Sequence, residues 1–165
     1  MNKIEKYLNQ DIDNPKFLFH GSPYKLDRVS PRLSHDSWNQ EENIAEAVFL
    51  FPSFIKSIPY SFKDTIKSNS SNLDWGFDIP NDNVLPIMIM RNVNIDENIK
   101  GYIHVFKKDS DMIKDEGTYQ YKCYKELIPC DVLEVCYKDF EEYFEIVEEV
   151  DERYVRKSVK FRSKL

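Results

Sequence analysis

The feature of this sequence that most limits its fold is a series of short apolar or alternating segments of strand length. Glycine or proline closes several of them, and little helical periodicity separates them, so the strand-helix-strand alternation of a parallel sheet is missing. The pattern predicts an α+β protein with about six or seven strands, in one mostly antiparallel sheet or two small packed sheets. The segments are 16–20, 47–51, 84–91, 101–106, 118–124 and 131–137.

Helical patterns are few and short. An amphipathic helix is expected within residues 1–12 and a second over 54–67, where Pro59 should disturb the middle. A further short helix could lie around 40–47. Pro86, inside the apolar segment 84–91, predicts an edge strand or a bulge there.

The length of 165 residues is typical of a single domain that can bury a core. We expect that core within 16–138, followed by an acidic helical segment and a basic tail over 139–165. The alternation of Val155, Val159 and Phe161 in the tail suits either a last strand or a short helix.

Composition excludes several kinds of site. The four glycines (Gly21, Gly76, Gly101 and Gly117) are too far apart for a dinucleotide-binding or phosphate-binding glycine loop. Three histidines and three cysteines, widely scattered, predict no closed zinc site and no metal. A net charge of −6 argues against a general nucleic-acid-binding surface. No segment is apolar enough to span a membrane or to act as a signal peptide, so a cytoplasmic protein is expected.

Three polar or aromatic side chains stand at positions where chemistry could occur. His20 ends a buried strand and is followed by Gly21, whose missing side chain would let a ligand approach the backbone. A histidine that only bonds a turn explains the same pattern. Tyr60 suits a core position on a helix, and Gln120 suits an outward-facing strand position, so neither indicates a site by itself.

Three motifs follow one another along the chain: KFLFHGS over 16–22, VFLFPSFIKSIPY over 48–60 and TYQYKCY over 118–124. Together they resemble the ADP-ribosyltransferase superfamily, in the branch related to poly(ADP-ribose) polymerases that carries a His-Tyr-Glu signature. The resemblance covers about residues 16–138. It implies a split antiparallel β-sandwich with a few short helices, and NAD as substrate or ligand.

The resemblance also implies a role for each matched residue. The backbone of Gly21 would hold the nicotinamide carboxamide, His20 would hydrogen-bond the adenosine-side ribose, and Ser22 is their less certain neighbour. Tyr60 would stack on the nicotinamide ring. Two cations in the loop that follows, Arg28 and Arg32, are the nearest candidates for the pyrophosphate, although solvated surface positions explain them better.

Gln120 occupies the position where the family usually has Glu. A carboxylate there stabilises the positive charge that develops on the ribose as nicotinamide leaves, and an amide gives up most of that stabilisation. Glu116 could substitute from the loop that enters the strand, or it could be a solvated turn residue. Glu126 would lie some 20 Å away along an extended strand.

These observations leave three functional hypotheses. The first is an NAD-dependent mono-ADP-ribosyltransferase of toxin or phage-conflict type that modifies a protein or nucleic acid, or cleaves NAD slowly. The second is an inactive module that binds NAD or ADP-ribose. In the third the motifs are coincidental, and the acidic stretch 139–152 contacts a basic partner. The sequence specifies neither the acceptor nor the oligomeric state.

Overall fold

The computed structural model describes residues 3–34, 45–68, 75–78, 87–90, 98–115, 120–140 and 145–147. Helix α1 covers Lys3–Leu8, helix α2 covers Phe54–Ser68, and a single 3-10 turn covers Tyr137–Asp139. The strands in chain order are β1 Phe17–Ser22, β2 Arg32–Ser34, β3 Ala45–Leu50, β4 Trp75–Asp78, β5 Ile87–Met90, β6 Lys100–Lys107, β7 Ile113–Lys114, β8 Tyr121–Cys123, β9 Asp131–Cys136 and β10 Glu145–Val147.

These strands form three sheets, which we call A, B and C. Sheet A has the order β1-β6-β9 and sheet B the order β2-β3-β8-β7, and both are antiparallel throughout. Sheet C has the order β10-β5-β4, in which β5 pairs antiparallel with β4 and parallel with β10. The predicted α+β class with mostly antiparallel pairing is confirmed.

Among the described residues, backbone hydrogen bonds join sheets A and B at one pair of residues. Phe19 of β1 and Phe51, directly after β3, exchange two backbone hydrogen bonds, each 2.8 Å long. The Gln10 side chain supports this junction: its amide donates to the carbonyl oxygens of Phe17 and Pro52, and its oxygen accepts the Phe17 N–H. The start of β1 and the end of β3 are thereby tied to the same side chain.

Helix α2 lies directly against the backbone of sheet A. A Cβ added to Gly21 would come within 2.5 Å of the Ser57 carbonyl oxygen, and one added to Gly101 within 2.4 Å of the Ser61 carbonyl oxygen. Both serines are fully buried, and each hydroxyl donates to a carbonyl three residues earlier in the helix, at 2.6 Å. Small residues on both surfaces therefore allow the close approach, and the buried hydroxyls keep hydrogen-bond partners.

Strand β1 is buried on both faces because its side chains alternate between two apolar clusters. Phe19 points toward α2 and packs with Phe54, Ile58, Phe62, Ile103 and Val105. Leu18 points the other way and packs with Val48, Leu50, Phe106, Tyr121 and Cys123. The chain after β1 closes this second cluster, where Val29 and Leu127 exchange backbone hydrogen bonds of 2.9 Å.

Three expectations about secondary structure are wrong. A short helix is expected around 40–47, but from Ala45 this segment is strand β3. The acidic segment was expected to be helical, but Glu145–Val147 is a strand, because Ile146 and its neighbours pair with the apolar strand β5. Strand β5 was expected to be an edge strand or bulged, yet it is the middle strand of sheet C, because it begins at Ile87, after Pro86. Helix α2 continues through Pro59 as a single element.

No helix among the described residues is long and apolar enough to cross a bilayer.

The contact between α2 and sheet A predicts a large cost for Gly101→Ala. The added methyl group would overlap the Ser61 backbone, which cannot move aside as a flexible side chain would. We expect a loss of about 2–3 kcal/mol in the free energy of unfolding, measured by urea titration. The matched control is Lys100→Ala at the exposed neighbouring position, where a change within about 0.5 kcal/mol is expected. Equal effects of the two variants would contradict the packing argument.

Candidate functional site

The candidate site begins where β1 and β3 separate. After the hydrogen-bonded pair Phe19–Phe51, a continued antiparallel ladder would pair Gly21 with Phe49. Instead, the His20 ring lies between the strands, and its Nδ1–H donates to the Phe49 carbonyl oxygen at 2.9 Å. The imidazole thus replaces the next ladder bond, and sheets A and B diverge from this point.

Because the two strands separate here, the backbone N–H and C=O groups of Gly21 are left on the edge of β1. Along a strand, successive residues point their N–H and C=O groups to opposite sides. The backbone N–H and C=O of Phe19 point to β3. The same groups of Gly21, two residues later, therefore point to the same edge of β1 and away from β6. In the described part of the chain, no group bonds them. Gly21 therefore offers one N–H and one C=O, side by side, to a ligand.

The hydrogen bond of His20 determines its tautomer. A carbonyl oxygen can only accept, so Nδ1 carries the proton, and Nε2 of the neutral ring is an acceptor. Burial lowers the pKa of His20, as does the positive charge of Arg32, although the bond to Phe49 opposes the shift. The ring is therefore neutral near pH 7. It offers a lone pair to a hydroxyl group.

His104 supports this strand end from β6. It pairs directly with His20 across the two strands, with ring centroids 6.2 Å apart. The Leu26 N–H donates to His104 Nε2 at 2.9 Å, so the proton is on Nδ1, which donates to the His20 carbonyl at 3.3 Å. Both ring nitrogens have hydrogen-bond partners only when the ring is neutral. The ring is fully buried, and this burial lowers the pKa of His104 to about 4.

Tyr60 lies on the other side of the same junction, against Phe51, and Gln120 directly precedes β8. The rings of Tyr60 and Phe51 have centroids 5.0 Å apart and are tilted by 32°. The β3–β8 register ends with the pair Leu50 and Tyr121, so Gln120 precedes the last residue of β8 that pairs with β3. Extended by one residue, this register would put Gln120 opposite Phe51, two strand spacings or about 10 Å from Phe19. The structure thus brings Tyr60 to Phe51, beside the pair Phe19–Phe51 that His20 follows, and puts Gln120 directly before β8.

The side chains of His20 and Tyr60 approach the edge of β1 from two directions. His20 shares a face of β1 with the buried Leu18, whereas Tyr60 belongs to α2, which covers the opposite face. The edge of Gly21 lies between them, next to the backbone of Tyr60. A ligand that bonds to Gly21 can thus be contacted from both sides.

The structure also describes three other residues that the sequence analysis names, Arg28, Arg32 and Ser22. The exposed Arg28 lies 3.7 Å from Glu126 in an ion pair, whereas the charge of Arg32 acts on His20. Ser22 is buried, and its hydroxyl accepts the Tyr24 N–H at 3.2 Å, which closes the turn after β1. Glu116 lies outside the described residues.

Sequence reasoning missed an ion pair beside Gln120. Asp115 pairs with Gln120 through the Asp115 N–H, which donates to the Gln120 carbonyl at 2.9 Å. Its carboxylate lies 3.3 Å from Lys122 Nζ, and both side chains are nearly buried. The alternation of residues 118–124 in the sequence indicates that Gln120 and Lys122 share one face of a strand. Only the pairing of β7 with β8 shows that Asp115 lies opposite Gln120.

Two other features of the described residues bear on the site. No group of three or more histidine, cysteine or carboxylate side chains there could hold a metal ion. A depression of about 390 Å³ lies elsewhere, between the end of β6 and the segment before β9, and includes Met112, Glu126 and Ile128. It contains none of the site residues, so the candidate site rests on backbone geometry and not on this depression.

Comparison of the chain with protein-family models, with curated proteins and with solved structures found no match.

The buried His104 predicts a loss of stability in acid. Its pKa is about 4 in the folded protein and about 6.5 when unfolded, so between these values only the unfolded chain takes up the proton. The neutral ring therefore stabilises the fold fully above pH 6.5. As the pH falls toward 4, the free energy of unfolding should decrease by about 3 kcal/mol.

His104→Gln tests this origin, because its amide oxygen can accept the Leu26 N–H but does not titrate. Urea unfolding at several pH values should show a smaller decrease between pH 6.5 and 4 in the variant than in the parent protein. The same decrease in both proteins would mean that other groups cause the acid sensitivity.

Proposed function

We propose that this protein binds NAD in the opening between β1 and β3 and acts as an ADP-ribosyltransferase-type enzyme. The observation that carries the proposal is the N–H and C=O of Gly21 on the edge of a strand, which no group in the described part of the chain bonds. A carboxamide has one N–H2 donor and one C=O acceptor in a plane, so it can replace the missing ladder partner with two hydrogen bonds. Nicotinamide carries such a group.

His20 and Arg32 fit the other half of the dinucleotide. The Nε2 lone pair of neutral His20 would accept a hydrogen bond from a ribose hydroxyl, so the histidine acts as an acceptor there and not as a donor. The exposed guanidinium of Arg32, close enough to influence His20, would interact with the pyrophosphate. Arg28 is a weaker candidate because Glu126 already neutralises it.

Tyr60 would cover the nicotinamide ring. It is partly exposed, its backbone adjoins Gly21, and Phe51 holds its ring on one side. An aromatic face attracts the cationic pyridinium of NAD more than the neutral nicotinamide that leaves. The stacking therefore contributes to binding and orientation.

The reaction is a heterolytic cleavage. The bond from the ribose C1′ to the pyridinium nitrogen breaks, its electron pair neutralises the leaving nicotinamide, and positive charge remains on the ribose. Water or an acceptor nucleophile then bonds to C1′ and releases a proton to solvent. Gln120 would orient a ribose hydroxyl but carries no charge, so we expect slow NAD hydrolysis or single transfer to a protein or nucleic acid.

A second function is favoured by Gln120 itself. Without a carboxylate at this position, the same site would bind NAD or ADP-ribose with no turnover. Gly21, His20 and Tyr60 serve binding in either case. The two functions differ only in whether nicotinamide is released.

Proton NMR of NAD mixed with the purified protein, followed over hours, tests the proposal. We expect broadened NAD signals and the slow appearance of free nicotinamide. His20→Asn should weaken NAD binding by about tenfold, the loss of one hydrogen bond, because its amide can still donate to the Phe49 carbonyl but lacks the Nε2 acceptor. Sharp, unchanged NAD signals would refute the proposal.

Gln120→Glu distinguishes the two functions. If the site is built for transfer, a carboxylate at this position should raise the rate of nicotinamide release by about 10²-fold, because it stabilises the ribose cation. Gln120→Ala is the control and should not increase the rate. Binding without release in the parent protein, and release in Gln120→Glu, would identify the binding module.

A further inference from the structure

We propose that His104 is a positioning residue for the candidate site: it fixes the peptide unit that carries the Gly21 N–H, so that this N–H faces a bound carboxamide. The inference rests on the proposed function, in which nicotinamide supplies the carboxamide. His104 does not touch the ligand and acts through the backbone of β1.

The peptide unit between His20 and Gly21 has its two polar groups on opposite edges of β1. The backbone of Phe19 bonds to Phe51, on the side of β3. The backbone groups of His20 therefore point to β6, and those of Gly21 point to the opening. Because a trans peptide is planar, the His20 C=O and the Gly21 N–H lie in one plane and point in opposite directions. Whatever holds this carbonyl also orients this N–H.

The His20 carbonyl accepts two hydrogen bonds from a single residue of β6. The β1–β6 register makes His20 and His104 a directly opposed, hydrogen-bonded pair, so the His104 backbone N–H donates to this carbonyl. The His104 Nδ1–H donates to the same oxygen at 3.3 Å. A carbonyl oxygen has two lone pairs, and each now has a donor. The peptide plane is therefore held more firmly than by a ladder bond alone.

The direction of the His104 side-chain bond is fixed by the segment that follows β1. The Leu26 N–H donates to Nε2 at 2.9 Å, so the neutral ring carries its proton on Nδ1. The side chain is fully buried, and water does not compete for either nitrogen. Leu26 thus determines which nitrogen accepts, and the other nitrogen donates to the His20 carbonyl.

The fold accounts for one of these two side-chain bonds. The bond to Leu26 gives a partner to a backbone N–H that would otherwise lose one. The bond to His20 adds a second donor to a carbonyl that already has its ladder bond. A second donor polarises the peptide unit and makes the N–H at its other end a better donor. That N–H belongs to Gly21, so the candidate site benefits.

Few hydrogen bonds hold Gly21 itself. Glycine has more backbone freedom than other residues, and β1 ends one residue later, at Ser22. In the described part of the chain, no group bonds the Gly21 N–H or C=O. A donor that is held in place before the ligand arrives loses less entropy on binding than a mobile one. Support from His104 therefore favours binding of a carboxamide at this position.

The test compares the binding of NAD with that of ADP-ribose, followed by NMR near neutral pH. ADP-ribose lacks nicotinamide and so has no carboxamide for Gly21. His104→Gln keeps an acceptor for Leu26 near the position of Nε2 but has no donor at that of Nδ1. We expect NAD binding to weaken by about threefold, a part of the roughly tenfold contribution of one hydrogen bond, and ADP-ribose binding to stay within about 1.5-fold.

His104→Asn is the conservative variant with the opposite change. Its amide nitrogen lies near the position of Nδ1 and can donate to the His20 carbonyl, but no acceptor reaches Leu26. It should therefore bind NAD more tightly than His104→Gln, although it loses the bond that the fold uses. A purely structural role of His104 would give the reverse order. Urea unfolding verifies that both variants are folded.

Tyr102→Phe is the matched control. Tyr102 lies two residues from His104 on the same face of β6, and its hydroxyl donates to Glu134 of β9 at 3.5 Å, away from β1. The variant removes one side-chain hydrogen bond of β6 without affecting the His20 carbonyl. Its binding of NAD and of ADP-ribose should stay within about 1.5-fold of the parent.

Isotope labelling observes the peptide unit directly. His20–Gly21 is the only His-Gly pair in the chain, so labels in the histidine carbonyl carbon and the glycine nitrogen select this one peptide bond. In His104→Gln, the signals of both labelled atoms should move to lower frequency, because the peptide unit is less polarised. Tyr102→Phe should move neither signal. This measurement needs no ligand.

The outcomes separate the inference from the proposed function. Absence of NAD binding in the parent protein would refute the proposed function and, with it, the carboxamide assigned to Gly21. NAD binding that His104→Gln leaves unchanged, or an equal loss of NAD and ADP-ribose binding, would overturn the role of His104 and leave the NAD site intact. Unmoved signals of the labelled peptide in His104→Gln would overturn that role whether or not NAD binds.

Discussion

The arrangement of this protein depends on the two backbone hydrogen bonds between Phe19 and Phe51. In the described part of the chain, they are the backbone hydrogen bonds that join sheets A and B, and the Gln10 side chain ties the neighbouring backbone of both strands together. One residue further, the His20 ring occupies the place of the next ladder bond. A continued ladder would have consumed the N–H and C=O of Gly21, so the candidate site exists because pairing stops there.

Gly21 serves the packing of the fold and the candidate site at once. On one face, α2 lies so close that no Cβ fits, and Gly101 of the neighbouring strand meets the same helix in the same way. On the edge, its backbone groups face the opening between the strands. The packing alone is enough to require glycine here, because any side chain would push α2, and Tyr60 with it, away from β1.

The polar groups near the junction avoid free charge in three different ways. His104 is neutral because both ring nitrogens have partners only in that state. His20 is neutral because burial and Arg32 oppose its protonation. Asp115 keeps its charge and is compensated by Lys122.

The sequence alone determined the class of fold and the main strands, because period-two apolar patterns and prolines act locally: β1, β3, β6 and β9 all lie within predicted segments or extend them by a few residues. Its short motifs also predict a site at His20, Tyr60 and Gln120, and this stays a prediction. It could not predict the strand Glu145–Val147, whose acidic surroundings favour a helix until β5 supplies a partner. Nor could it predict the contacts of His104 and Asp115, because these contacts arise from strand register. Register is decided by contacts between segments far apart in the chain, and only the tertiary structure contains those contacts.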